Sequence, residues 1–184
     1  IQHMQKALTF MNVQLHIVVS DITGVTGMKI VRAIVAGEHD PAILAKFRDP
    51  RCKADEQTIC AALKGNYQPE HLFALRQAII LYDVYQRQVN ECDVQIEAVL
   101  DRLCINSSEP DEPIPKPKHR AKQANAMTFD VREKLYRLIG ADLTQIHGIG
   151  PFLALRLISE CGTDMNKWPT EKHFTSWLTL CPVS

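Results

Sequence analysis

From Pro69 to Leu103 the apolar residues recur on a seven-residue period. Leu72, Ile79, Gln86, Asp93 and Leu100 share one heptad position, and Leu75, Tyr82, Val89, Ile96 and Leu103 share the other. A pattern kept for about 35 residues, at a rise of ~1.5 Å each, predicts one helix about 50 Å long. A small globular core cannot bury such a rod on all sides. It must pack on another helix of its own chain, pair with a second chain, or stand in solvent, and the pattern leaves these three open. Gln86 and Asp93 place polar groups in the seam, which weakens it and can set register or partner number.

The segment before this rod also reads as helical. Met4, Leu8, Met11, Leu15 and Val18 are spaced by four, three, four and three, which predicts one helix ending near Asp21. A second is expected over 27–36, with Ile30, Val31 and Ile34 inward and Gly37 as its stop. Asp40-Pro41 reads as an N-cap followed by proline at the first helical position. A further short helix is expected from Asp55 to Leu63, closed by Gly65-Asn66.

The period fails at residues 107–126. Pro110, Pro113, Pro115 and Pro117 remove backbone donors and clash with a preceding helical turn, so this stretch is a linker extended by its prolines. Its second half carries Lys116, Lys118, Arg120 and Lys122, which can lie along phosphates or merely be solvated. The expected organisation is therefore a helical region over 1–106, the linker over 107–126, and a compact unit over 127–184. In the last, Thr128 is expected to cap a helix running from Phe129 to Ile139, Thr170 a final one holding Phe174, Trp177 and Leu178. Trp168 and Trp177 read as core anchors.

Within that unit, Leu143 to Gly162 reads as short helix, turn, second helix, with Gly148-Ile149-Gly150 at the turn. The arrangement resembles the helix-hairpin-helix motif. Gly148 and Gly150 would allow positive φ and close backbone approach, and Ile149 would plug the core. Pro151 suits a first helical turn, and Ala154 would let the two helices approach. Leu153, Leu157 and Ile158 would supply apolar surface. Free amides of the turn, with His147 beside them, would then make an anion site for a DNA phosphate. A tight turn whose glycines serve packing alone is the alternative. Ile22 to Gly27 is a weaker echo of the same pattern, and an ordinary turn is its simpler explanation.

Composition excludes other classes. The 184 residues are 46% hydrophobic and 23% charged, and the formal net charge is zero. Nucleic-acid binding must therefore come from local geometry. No run approaches the ~18 apolar residues of a membrane span, and Ile1-Gln2-His3 begins no signal peptide. Cys52, Cys60, Cys92, Cys104, Cys161 and Cys181 form no Cys-x-x-Cys pair, and the His residues are scattered, so no metal site is expected. No spacing of Ser, His and Asp suggests a catalytic triad, and no catalytic residue is assigned.

Several stretches resemble the "one-ten" family of bacterial insertion-sequence transposases. In the C-terminal unit they are Asp142 to Gly150, Gly162 to Met165, Trp168 to Phe174 and Trp177 to Pro182. Towards the N-terminus they are Met4 to Leu8, Asp21 to Gly27 and Ala33 to Glu38. The resemblance implies a parent recombinase with an acidic RNase H-like domain binding divalent metal (magnesium), a coiled-coil middle mediating subunit contacts, and a C-terminal domain bearing a nucleophilic serine. It places this chain after the acidic domain and ends it just before the serine. Ser184 stands near that place but too soon after Pro182, with no Gly following. No cofactor is expected in this fragment itself, which should be inert alone. Implied partners are DNA, a structured guide RNA, and a second copy through the long helix, in a bacterial cytoplasm.

The fold class expected is all-α: a helical, coiled-coil region followed by a small unit containing the helix-hairpin-helix. The leading functional expectation is a DNA-binding part of a transposase. A stand-alone, non-enzymatic DNA-binding adaptor is the alternative, and an interaction protein built on the coiled coil is the third reading.

Overall fold

The computed structural model describes residues 1–105, 110, 112–118 and 126–180. Arg120, Lys122 and Ser184 lie outside the described residues, so nothing is added to their readings. The chain is all-α. The described elements are α1 (Gln2–Phe10), α2 (Leu15–Val18), α3 (Val25–Val35), α4 (Pro41–Ala45), α5 (Glu56–Ala62), α6 (Pro69–Ile105), α7 (Val131–Ile139), α8 (Pro151–Cys161) and α9 (Glu171–Trp177). Short 3-10 turns occupy Leu143–Gln145 and Met165–Lys167. None of these helices is long and apolar enough to cross a membrane. The chain divides into two compact units, Ile1–Gln88 and Val89–Ser184, with the division inside α6.

In the first unit, Met4, Leu8, Met11 and Leu15 are all buried, as their spacing requires. They do not share one helix, however, and the expected continuous element is corrected to α1 and α2. The break is at Asn12, which takes a left-handed φ of 58°, a conformation asparagine tolerates better than most residues. The carbonyl of Met11 is then free to accept from the Asn66 N–H at 2.7 Å, and Gln14 N–H donates to the Ala62 carbonyl at 2.9 Å. A Cβ on Gly65 would lie 2.5 Å from the Met11 oxygen, so only glycine lets the chain pass here.

The caps follow the sequence. Asp40 accepts from Ala42 N–H at 2.8 Å with Pro41 opening α4, and Asp55 accepts from Thr58 N–H at 2.7 Å to open α5. Gly27 lies inside α3, where a Cβ would come 2.3 Å from the Ile22 oxygen. Its role is close packing, which accounts for the glycine of the echo. Leu75 and Ile79 of α6 complete the core with Ile30, Ile34, Leu44, Ile59 and Leu63, and Leu72 and Tyr82 pack against it. Across α3 and α6, Arg32 and Asp83 form a two-pronged ion pair at 3.0 and 2.5 Å. It is exposed, so its value is at most ~1 kcal/mol.

The second unit has a smaller core. Leu100 of α6 joins Val131, Leu135, Ala154 and Ile158, with Ile96, Leu138, Ile139 and Ile149 packed against them. Asp93 is buried, and its carboxylate accepts from the Thr128 N–H at 3.0 Å. The polar seam residue is thus used within the chain, while Gln86 is exposed. Thr128 is not the cap of α7. That role belongs to Asp130, which accepts from Glu133 N–H at 3.1 Å, because the chain at Thr128 is already tied to α6.

Candidate functional site

The site is assembled from α7, the turn after it, the start of α8 and the proline segment. Gly140 ends α7 with a left-handed φ of 71°. Two residues on, Asp142 caps the 3-10 turn, its Oδ1 accepting from the Thr144 N–H at 3.1 Å and the Thr144 hydroxyl at 2.6 Å. The first helix expected in the hairpin is only this turn, Leu143–Gln145. Ile146 N–H then donates to the Leu143 carbonyl and Ile149 N–H to the Ile146 carbonyl, both at 3.1 Å.

The two glycines of the turn differ. Gly148 has a φ of 87°, and a Cβ there would meet no atom within 4 Å. Gly150 has φ −89° and ψ 170°, extended backbone open to any residue, and is the N-cap of α8. Positive φ is therefore needed at Gly148 alone, and that part of the reading is corrected for Gly150. Ile149 packs on the core as read. Ala154, Ile158 and Cys161 form the inward face of α8, whereas Leu153 is exposed. The inward face is set by Ala154, whose four- and seven-residue neighbours are Ile158 and Cys161, and Leu153 lies off that line.

Pro151 has no N–H to give at the first helical position. Among the described residues, nothing accepts from the amides of Gly148, Gly150, Phe152 or Leu153. The positive end of the α8 dipole is thus uncapped. His147 is exposed at the tip. Gly148, Gly150 and Phe152 border a groove of about 560 Å3, whose other lining includes Met127, Phe129, Ile146, Pro117 and Lys118.

The proline segment forms the opposite border. Residues 112–118 form no helix, and their carbonyls accept from side chains of α7 and the turn after it. Tyr136 Oη donates to the Glu112 carbonyl at 2.9 Å, and Gln145 Nε2 to the Lys116 carbonyl at 3.1 Å. Arg132 Nη2 donates to the Pro115 carbonyl, and Lys118 Nζ to the Gln145 carbonyl at 2.9 Å. Lys116 is exposed. Of the expected basic contacts, Lys118 is thus brought to the turn.

Arg132, Asp142 and Gln145 were not legible as a set. Arg132 Nη2 meets Asp142 Oδ2 at 2.6 Å, and Nε meets the same oxygen at 3.0 Å and Thr144 Oγ1 at 3.1 Å. Gln145 Nε2 adds a bond to Asp142 Oδ2 at 2.8 Å. The Asp142 side chain is only 2% exposed. Burial pushes its carboxyl up, but the hydrogen bonds from Arg132, Thr144 and Gln145 outweigh it and hold the group at about 2. The Asp-x-Thr spacing signals the local turn; the ten-residue reach to Arg132 has no sequence signature.

Beyond α8, Trp168, Phe174 and Trp177 pack on one another, with ring centroids 5.0, 5.2 and 6.4 Å apart. Trp177 is 50% exposed, so it is not a core anchor here. Thr170 makes no side-chain cap of α9; its hydroxyl bonds His173 Nδ1 at 2.8 Å. No group of three His, Cys, Asp or Glu side chains converges to hold a metal ion among the described residues. The divalent metal implied for an acidic domain therefore finds no fit on them, and no step is derived through it.

The segment that carries this turn, α8 and α9 is similar to transposases: residues 140–184 match a transposase family model. The family is described as the Transposase IS116/IS110/IS902 family, and the likeness is confined to those residues. No curated protein and no solved structure matches the chain.

Proposed function

We propose that this chain holds nucleic acid for its transposase, with the turn at 147–150 acting as a helix-hairpin-helix. The observation that carries the reading is the row of amides at Gly148, Gly150, Phe152 and Leu153 that no described group accepts from, at the start of an eleven-residue helix. Backbone N–H groups at a helix N-terminus suit a phosphate oxygen, and such contacts position a duplex without reading its sequence. Lys118 at the same groove adds a cation. The stand-alone adaptor would use the same turn, but the transposase match at residues 140–184 favours the first reading.

The test is a fluorescence-anisotropy titration of the chain with random duplex DNA at several salt concentrations. Binding should weaken steeply with salt. Gly150→Val keeps an allowed backbone and places branched bulk beside the amides. It should weaken binding by about tenfold, or ~1.4 kcal/mol, with helicity and melting temperature nearly kept. Equal loss of binding and folding would favour a turn built for packing alone. DNA and a guide RNA both offer phosphates, so competition by duplex RNA is the further arm: stronger competition than by duplex DNA would favour the guide RNA, weaker competition the DNA partner.

A second reading, self-association through α6, is favoured by one observation. Phe73, Ile80 and Val84 are exposed at spacings of seven and four, on one stripe of the helix. Leu75 and Ile79 are already spent on the core, so the partner face is this outer one. Ile80→Asp with Val84→Asp should halve the mass seen in light scattering. An unchanged mass would remove this reading.

A further inference from the structure

We infer that Arg132 is a positioning residue that buckles the proline segment to the hairpin turn, so that Lys118 and the turn amides grip one nucleic-acid backbone. The inference rests on the nucleic-acid reading given above and adds a device to it.

Extended proline-rich chain makes no hydrogen bonds of its own, and as a spacer it is solvated. Here the carbonyls of Glu112, Pro115 and Lys116 each meet a side-chain donor from α7 or the turn after it. Two of those donors, Arg132 and Gln145, also hold the Asp142 carboxylate that caps the turn before the hairpin. One buried carboxylate thus organises both borders of the groove. Arg132 is 15% exposed and Asp142 2%; a buried pair of this kind holds only if its hydrogen bonds are complete. Asp142 is complete, with partners on both oxygens.

The geometry requires arginine. Nε serves Asp142 and Thr144 while Nη2 serves Asp142 and the Pro115 carbonyl. A lysine ammonium, a single point of donors on a flexible stem, cannot span these acceptors at once. The result is that Lys118 is held at the groove with one ammonium donor on Gln145 and capacity for two more. Without the buckle, Lys118 would reach a phosphate only after the segment had been ordered, at a cost in chain entropy.

The experiment is a double-variant cycle on the whole chain, with random duplex DNA as probe. Lys118→Ala removes one phosphate contact and should lower the magnitude of the slope of log affinity against log salt by about 0.9. Arg132→Lys should lower it by the same amount, although Arg132 itself touches no phosphate. The double variant should lose no more than either single one. In free protein, trypsin should cut after Lys118 faster in Arg132→Lys than in the unaltered chain. Tyr136→Phe loosens the segment at Glu112 without touching Asp142, so it guards against a folding defect. It should also speed cleavage and reduce the slope. Additive slope losses overturn the inference, as does an unchanged slope in Arg132→Lys or Tyr136→Phe while the unaltered chain still binds. Failure of the unaltered chain to bind duplex overturns the inference together with the reading it rests on, and is distinguishable because no variant is needed to see it.

Discussion

The two units of this chain are held by different means. In Ile1–Gln88, Leu8, Met11, Leu15, Ile30, Ile34, Leu44, Ile59, Leu63 and Leu75 are fully buried, and glycines 27 and 65 let backbone segments touch. In Val89–Ser184 the buried apolar set is small, and much of the tying is polar: Asp93 to Thr128, Lys134 to Glu97 and Asp101, and the Arg132–Asp142 cluster. Burial is non-directional and gives a unit that is stable in bulk. Hydrogen-bonded charge is directional and fixes where particular groups stand. The transposase match falls in the second unit, the one held more by directed hydrogen bonds than by mass of core.

The contrast can be broken most forcefully at Leu8. Leu8→Ala should cost about 3–5 kcal/mol, read as a lower denaturant midpoint for the first unit. Leu138→Ala, at a half-buried position, should cost about 1–2 kcal/mol in the second. Equal costs would mean that the two cores do equivalent work. Next in size, Arg132→Met should destabilise the second unit by about 3 kcal/mol, because it leaves a carboxylate buried without its charge partner. The first unit should be unaffected.

Acid should find the same weak point. Asp142 is held at about 2 when folded, below its ordinary value near ~3.9. Its contribution is present above the unfolded value and is lost as pH falls from about 4 through about 2. The second unit should therefore lose about 2 kcal/mol over that window, and Asp142→Asn should abolish this part of the slope. Circular dichroism melts at stepped pH would show it. The smallest effect is expected on the outer stripe of α6, where Ile80→Asp should change stability by less than ~0.5 kcal/mol. A larger loss measured on the monomer would show that this face is covered within the chain.

What the sequence made legible follows from the range of the forces involved. Local signals held: Asp40-Pro41 and Asp55 start helices, Gly37 and Gly140 stop them, and α6 runs unbroken from Pro69. The single helix expected over the first heptads did not, because Asn12 breaks it to suit a contact with Gly65 and Asn66, more than fifty positions away. In the site, the glycine turn and Pro151 were visible because each needs a particular backbone. The buckle was not, since Arg132 and Asp142 look like any solvated charges on the page. Asp93 was legible only as a polar group in the seam that could set register or partner number; the Thr128 N–H on which its carboxylate is used lies 35 positions away and has no sequence signature.

Residues 84–92 of α6 are exposed on every side, while Leu75 and Leu100 are buried. In that middle stretch the helix is maintained by its own amide ladder alone. Side chains at either end anchor it, and none there does. Backbone deuterium uptake should accordingly run slow, fast, slow along this one helix, with opening that needs neither core to come apart.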